Sequence, residues 1–170
     1  MCEYNIRAMN EADLLVVLPW RNHPDVRRYM YTQHEITLAE HCSWFARATE
    51  NPHKHLLIFE VDGSATGFVN LSCQPNERIA DWGFYLAPGS AKGHGTALGK
   101  TALDYAFDRL QLHKVCGEAI DYNERSVRFH QRLGFQLEGT LRDQHFDGQN
   151  FHAVLRFGLI HTEWNYLELN

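Results

Sequence analysis

The stretch that most constrains this chain is residues 81 to 99. An aromatic run, Asp81-Trp82-Gly83-Phe84-Tyr85-Leu86, meets Ala87-Pro88 and then Gly93-His94-Gly95-Thr96-Ala97-Leu98-Gly99. It reads as strand, turn, helix. Glycine at 93 and 95 permits positive φ and brings bare backbone N–H groups close to a ligand, and a helix opening near Gly95 aims its partial positive charge at the same place. The pattern suits a pyrophosphate, with Lys92 adding local charge. It equally suits a plain tight turn, since glycines at such corners often serve only geometry. No Gly-Lys-Ser/Thr completes a P-loop, and the third glycine of a dinucleotide fingerprint is missing.

The rest of the chain supplies seven strand signals around this corner. Residues 4 to 8 suit a first strand. Glu11 to Leu18 carry an apolar helical face that Pro19 should end, Pro24 can start a short helix through Tyr29, and Thr37-x-x-Glu40 is a capping box opening a helix to about Glu50. Leu56 to Val61 and Thr66 to Cys73 read as strands joined by the hairpin signal Asp62-Gly63, followed by a fourth strand over residues 78 to 87. Thr96 to Leu110 repeats apolar residues at helical spacing. Val115 to Ile120 is a fifth strand, Glu124 to Leu133 a helix closed by Gly134, and 135 to 145 with 151 to 160 two last strands around Asp147-Gly148. This order predicts an α/β (α+β) fold: one mixed, mostly antiparallel, twisted seven-stranded sheet with helices on both faces. No linker or repeat divides it, so residues 1–170 are expected to form a single domain.

Composition narrows the partners. The 170 residues carry a net charge of -5, which speaks against a nucleic-acid partner. No basic leader and no window of roughly 18 apolar residues occur, which predicts a cytoplasmic protein with no membrane partner. Cys2, Cys42, Cys73 and Cys116 lack paired spacing, and the 11 histidines form no His-x-x-x-His pair with a nearby carboxylate, so no metal is expected. The sequence leaves homo-oligomerisation open.

Leu86-Ala87-Pro88, Gly93-x-Gly95-x-x-Leu98, Asn123-x-x-Ser126 and Leu133-Gly134-Phe135 followed by Glu138-Gly139-x-Leu141-Arg142 together resemble the GCN5-related N-acetyltransferase family over nearly the whole chain. The resemblance implies acetyl-coenzyme A as cosubstrate, its pyrophosphate on the glycine turn and its pantetheine arm between splayed fourth and fifth strands. Leu86, Lys92, Gly93, His94, Gly95, Thr96, Ala97, Asn123 and Ser126 are then the expected coenzyme contacts. It further implies an oxyanion-binding strand N–H near Leu86. Family members often carry Gln or Arg where this chain has Ser90, and many carry a thiolate-protonating tyrosine where it has His130. His130 is accordingly the candidate acid, and its ordinary pKa of about 6.5 makes that feasible if a carboxylate raises it. Glu118, on the fifth strand, is the candidate base, with Asp81 and Glu77 as alternatives.

The N-terminal half, Trp20-Arg21-Asn22-His23-Pro24-x-Val26-Arg27 with Met30-Tyr31-Thr32, Ile36 and His41, looks like the sugar-nucleotide branch of that family. This implies acetylation of the 4-amino group of UDP-4-amino-4,6-dideoxy-N-acetyl-β-L-altrosamine, a step of pseudaminic acid biosynthesis that serves flagellin glycosylation. Arg21, Arg27 and Arg28, interleaved with Trp20, Tyr29 and Tyr31, could supply forks for a diphosphate and flat faces for uracil. Arg21, Tyr31, Glu77 and Trp82 are the candidate acceptor contacts. Two other readings stay open: acetylation of a protein N-terminus or polyamine on the same fold, and an acetyl-coenzyme A binding module without catalysis.

Overall fold

A computed structural model describes residues 2–75 and 78–168. In chain order they form β1 (Tyr4–Ala8), a 3₁₀ turn (Glu11–Asp13), α1 (Leu14–Asn22), α2 (Pro24–Arg27), α3 (Leu38–Thr49), β2 (Lys54–Val61), β3 (Ser64–Cys73), β4 (Ile79–Leu86), α4 (His94–Asp104) running into a π turn (Tyr105–Arg109), β5 (Lys114–Ile120), α5 (Glu124–Arg132), β6 (Gln136–Phe146), β7 (Phe151–Ile160) and α6 (His161–Glu168). The sheet order is β1-β2-β3-β4-β5-β7-β6, antiparallel at every junction except the parallel pair β4–β5.

β2 is a continuous apolar run because both of its faces are covered. Leu57, Phe59 and Val61 point to one side, with Val69 and Leu71 of β3 and the helices α4 and α5. Leu56 and Ile58 point to the other, with Phe68, Met9, Leu14, Val17 of α1 and Phe45 of α3. On β4 the same alternation puts Ala80, Trp82, Phe84 and Leu86 on the α4–α5 side and Tyr85 on the α1–α3 side.

Local signals hold where side chain and backbone agree. Thr37 and Glu40 make the reciprocal cap, Glu40 accepting from the Thr37 N–H at 2.7 Å and Thr37 Oγ1 from the Glu40 N–H at 3.2 Å. Asp62 and Gly63 both take positive φ, as a tight hairpin requires. Three expectations need correction. Pro19 does not end α1, which runs on to Asn22. The one bond it forgoes would come from the Leu15 carbonyl, and Leu15 is exposed, so water can serve that carbonyl while Val17 and Trp20 hold the helix by packing. The long helix after the glycine turn widens at Tyr105, where Leu110 donates to the Tyr105 carbonyl at 3.1 Å. His161–Glu168 form α6, unexpected from sequence. It is anchored by buried Trp164, whose indole N–H donates to Asp104 at 2.9 Å.

Candidate active site

β4 and β5 pair only at Ile79–Lys114, Ala80–Val115 and Asp81–Cys116, and then part. Their divergence opens a cleft of about 1120 Å³, on the scale of a sizeable small-molecule site. Ala87 donates to the Thr66 carbonyl of β3 at 2.8 Å, so by strand alternation Phe84 and Leu86 turn their N–H and C=O groups toward the fork. N–H groups so turned can donate to an oxygen that enters the fork.

One end of the cleft is built for anions. Gly93, at φ +99°, caps α4 without any side-chain bond. The amides of Gly95 and Thr96 have no acceptor among the described residues and lie at the positive end of the helix. Of the residues the resemblance points to, Leu86, Lys92, Gly93, Gly95, Thr96, Asn123 and Ser126 line the cleft. His94 and Ala97 do not: their amides are taken by the Ala91 and Gly93 carbonyls, the Ala97 side chain packs into the core, and the His94 ring lies edge-on to Tyr4. Arg125 and Arg132 from α5 join the lining. The sequence singles out neither, and their spacing of seven, which puts them on one face of α5, is the signal that could have found them. Asn123 Oδ1 accepts from the Ser126 N–H at 3.2 Å and so caps α5 while facing the cleft. Free backbone amides, three cations and an open fork fit the acetyl-coenzyme A that the resemblance implies.

His130 does not occupy the acid's place. It is 1% exposed, and Trp82 Nε1 donates to its Nε2 at 3.0 Å. An indole N–H can only donate, so the ring proton sits on Nδ1, which donates to the Ser126 carbonyl at 2.8 Å. Burial pushes its pKa down to about 4, partly opposed by that carbonyl. Both nitrogens are committed and the ring is neutral, stacked on Phe157, so it has no proton to offer a thiolate. Trp82 lines the cleft, while at 7% exposure its side chain packs into the core on the α4–α5 side.

The α1–α3 side of the fork carries the polar groups. Glu118 Oε1 accepts from Arg156 Nη1 at 2.6 Å, Arg156 Nη2 reaches Asp81 Oδ1 at 3.2 Å, and Glu118 Oε2 accepts from the Tyr31 hydroxyl at 2.8 Å. Tyr31 comes from the loop between α2 and α3, Asp81 from β4, Glu118 from β5 and Arg156 from β7. Arg156, absent from the sequence reading, lies opposite Glu118 in the β5–β7 register, a pairing with no sequence signature.

Arg21 Nη1, His41 Nε2 and Asn70 Oδ1 are buried without hydrogen-bond partners among the described residues, and Asn70 lines the cleft. Arg21 donates through Nη2 to the Thr32 carbonyl at 3.1 Å and has no carboxylate partner among the described residues, while burial, partly opposed by Tyr85, lowers its pKa. Arg27 and Arg28, by contrast, pair with Glu35 at 3.2 Å and Asp25 at 3.4 Å. Glu77 lies outside the described residues. Among the described residues no group of three His, Cys, Asp or Glu could hold a metal ion, and no helix is long and apolar enough to cross a membrane.

Residues 4–136 match the acetyltransferase (GNAT) domain family, and the chain belongs to it. It is an N-acetyltransferase, and its relatives divide by acceptor. It is 24% identical to spermidine N(1)-acetyltransferase of Escherichia coli K12 over 94% of this chain and 87% of that one. It is 26% identical to acetyltransferase PseH of Campylobacter jejuni, over 82% of this chain and 87% of that one. Among solved structures, spermidine N-acetyltransferase from Vibrio cholerae in complex with CoA and spermine superposes with a TM-score of 0.88 at 22% identity, covering 95% of this chain and 98% of that one. That likeness confirms the seven-stranded fold.

Proposed function

We propose that this protein transfers the acetyl group of acetyl-coenzyme A to the 4-amino group of a UDP-linked amino-deoxy sugar, of the kind UDP-4-amino-4,6-dideoxy-N-acetyl-β-L-altrosamine, in pseudaminic acid biosynthesis. The observation that carries this reading is Arg21, a half-buried guanidinium with no carboxylate partner among the described residues, whose charge acts on Tyr85 in the cleft wall. A buried cation without a counter-charge favours an anionic acceptor, such as a nucleoside diphosphate. The acidic residues of the cleft support the same choice. Asp25 is paired with Arg28, and Asp81 and Glu118 with Arg156, which leaves none of these three carboxylates free for the distal ammonium of a polyamine. The similarity to PseH adds to this.

The amine attacks the thioester carbonyl directly, so no covalent enzyme intermediate is needed. The Phe84 and Leu86 amides receive the oxyanion and Glu118 is the proton's destination. A thiol's ordinary pKa of about 8.5 lets the departing thiolate take a proton from water near pH 7. Release of free thiol with the UDP-amino sugar, spermidine or an N-terminal peptide tests the reading. Turnover with the UDP-amino sugar upholds it; turnover confined to spermidine, whose acetylating relatives cover more of the chain, overturns it, as does turnover confined to the peptide. Coenzyme binding without turnover leaves a binding module and overturns it too.

A further inference from the structure

Each oxygen of Glu118 already accepts a hydrogen bond. Oε1 is held by Arg156 at 2.6 Å and Oε2 by the Tyr31 hydroxyl at 2.8 Å. Tyr31 itself is 56% exposed, and its ring lies 5.5 Å from that of His145, which is buried in β6. Tyr31 lines the cleft, and its oxygen keeps a lone pair while its proton is donated to Glu118. Resting on the reading that this cleft acetylates an amine, we infer that the Tyr31 hydroxyl touches the acceptor nitrogen and relays its proton to Glu118.

The step balances. The acceptor ammonium gives its proton to Tyr31 Oη as the hydroxyl's own proton passes to Oε2 of Glu118. The amine gains a free lone pair, Tyr31 stays neutral and Glu118 becomes a carboxylic acid, which then loses its proton to solvent at the partly exposed cleft wall. Partial burial and the Glu118 carboxylate push the Tyr31 hydroxyl upward, so it remains an O–H donor between turnovers. Arg156 is the positioning residue. One guanidinium, spanning from β7 to Glu118 on β5 and Asp81 on β4, holds the carboxylate at the point where the strands part. The groups facing this relay are Arg156, Asp81 and His145.

The test compares wild type, Tyr31→Phe, Glu118→Gln and the double variant, on whichever amine the wild type acetylates, so that an error in the acceptor's identity does not decide it. Folding is verified by acetyl-coenzyme A binding. Each single variant should lose about 100-fold in kcat/KM for the amine, and the double variant no more than either, as expected of two groups in one chain. A Tyr31→Phe enzyme that binds coenzyme and keeps its rate overturns the relay, since a Glu118 acting directly gains from losing its partner. Additive losses overturn it as well. A measurement on wild type alone stands beside these. The rate plotted against deuterium fraction should curve, with two protons in flight, and a straight line rejects the inference.

Discussion

Trp82 donates its indole N–H to His130 Nε2 at 3.0 Å directly beneath Gly117, and the three residues form one device. A Cβ on Gly117 would collide with His130 Nε2 and lie 2.6 Å from Trp82 Nε1. Neither ring can retreat, because Phe129, Phe135 and Phe157 surround them. Gly117→Ala should therefore destabilise the fold by about 2–3 kcal/mol, measured as a shift of the urea midpoint without change of slope.

His130 is expected to govern stability and not turnover. Its folded pKa of about 4 lies below the ordinary 6.5, so between those values the unfolded chain binds the extra proton. The stability tied to it is intact above about pH 6.5 and is lost as pH falls toward 4, roughly 3 kcal/mol in all. His130→Gln, which keeps an acceptor for Trp82, should remove that share of the acid sensitivity. Paired urea titrations at pH 4.5 and 7.5 measure it. Turnover at pH 7.5 should stay near wild type in the same variant, and a large drop would return His130 to the chemistry.

Gly93 separates donor binding from everything else. At φ +99° an alanine is strained, yet its Cβ would meet nothing within 4 Å, so the cost is confined to the backbone. Gly93→Ala should lower stability by about 1–2 kcal/mol and weaken coenzyme binding roughly tenfold, as the turn relaxes and the Gly95 and Thr96 amides lose their aim. Calorimetric titration of coenzyme A, with no acceptor present, reads this directly.

Arg156 holds two carboxylates at once. Arg156→Met should leave Asp81 and Glu118 repelling each other at the root of the fork and lower kcat more than it raises KM for the amine. Arg156→Lys, which restores charge but not the two-pronged reach, should recover only part of the rate. Equal losses in both variants would mean that charge without the two-pronged geometry does nothing; full recovery by lysine would mean that geometry does not matter.

The fold was legible because its signals are local. The Thr37–Glu40 cap, the Asp62-Gly63 turn, the glycine at 134 and the period-two apolar runs each specify a few φ/ψ angles, and neighbours in sequence suffice to read them. Pro19 misled for the same reason. Its local rule is to end a helix, and packing of Val17 and Trp20 against α3 and β3 overrode it.

The active site divided along the same line. Gly93, Gly95, Thr96 and Asn123 could be found from sequence, since a helix start and its preceding turn lie within a few residues of each other. The pairing of His130 with Trp82 could not be read from sequence, because two residues 48 apart meet in the core and each consumes the other's polar atom. The Tyr31–Glu118–Arg156–Asp81 network joins a loop and three strands across separations of up to 87 residues. The sequence by itself determined the strand-turn-helix that can grip a pyrophosphate. Which polar side chains meet at the cleft was decided only by the sheet order, since the register of β5 on β7 and the parting of β4 from β5 are set by pairing between distant strands.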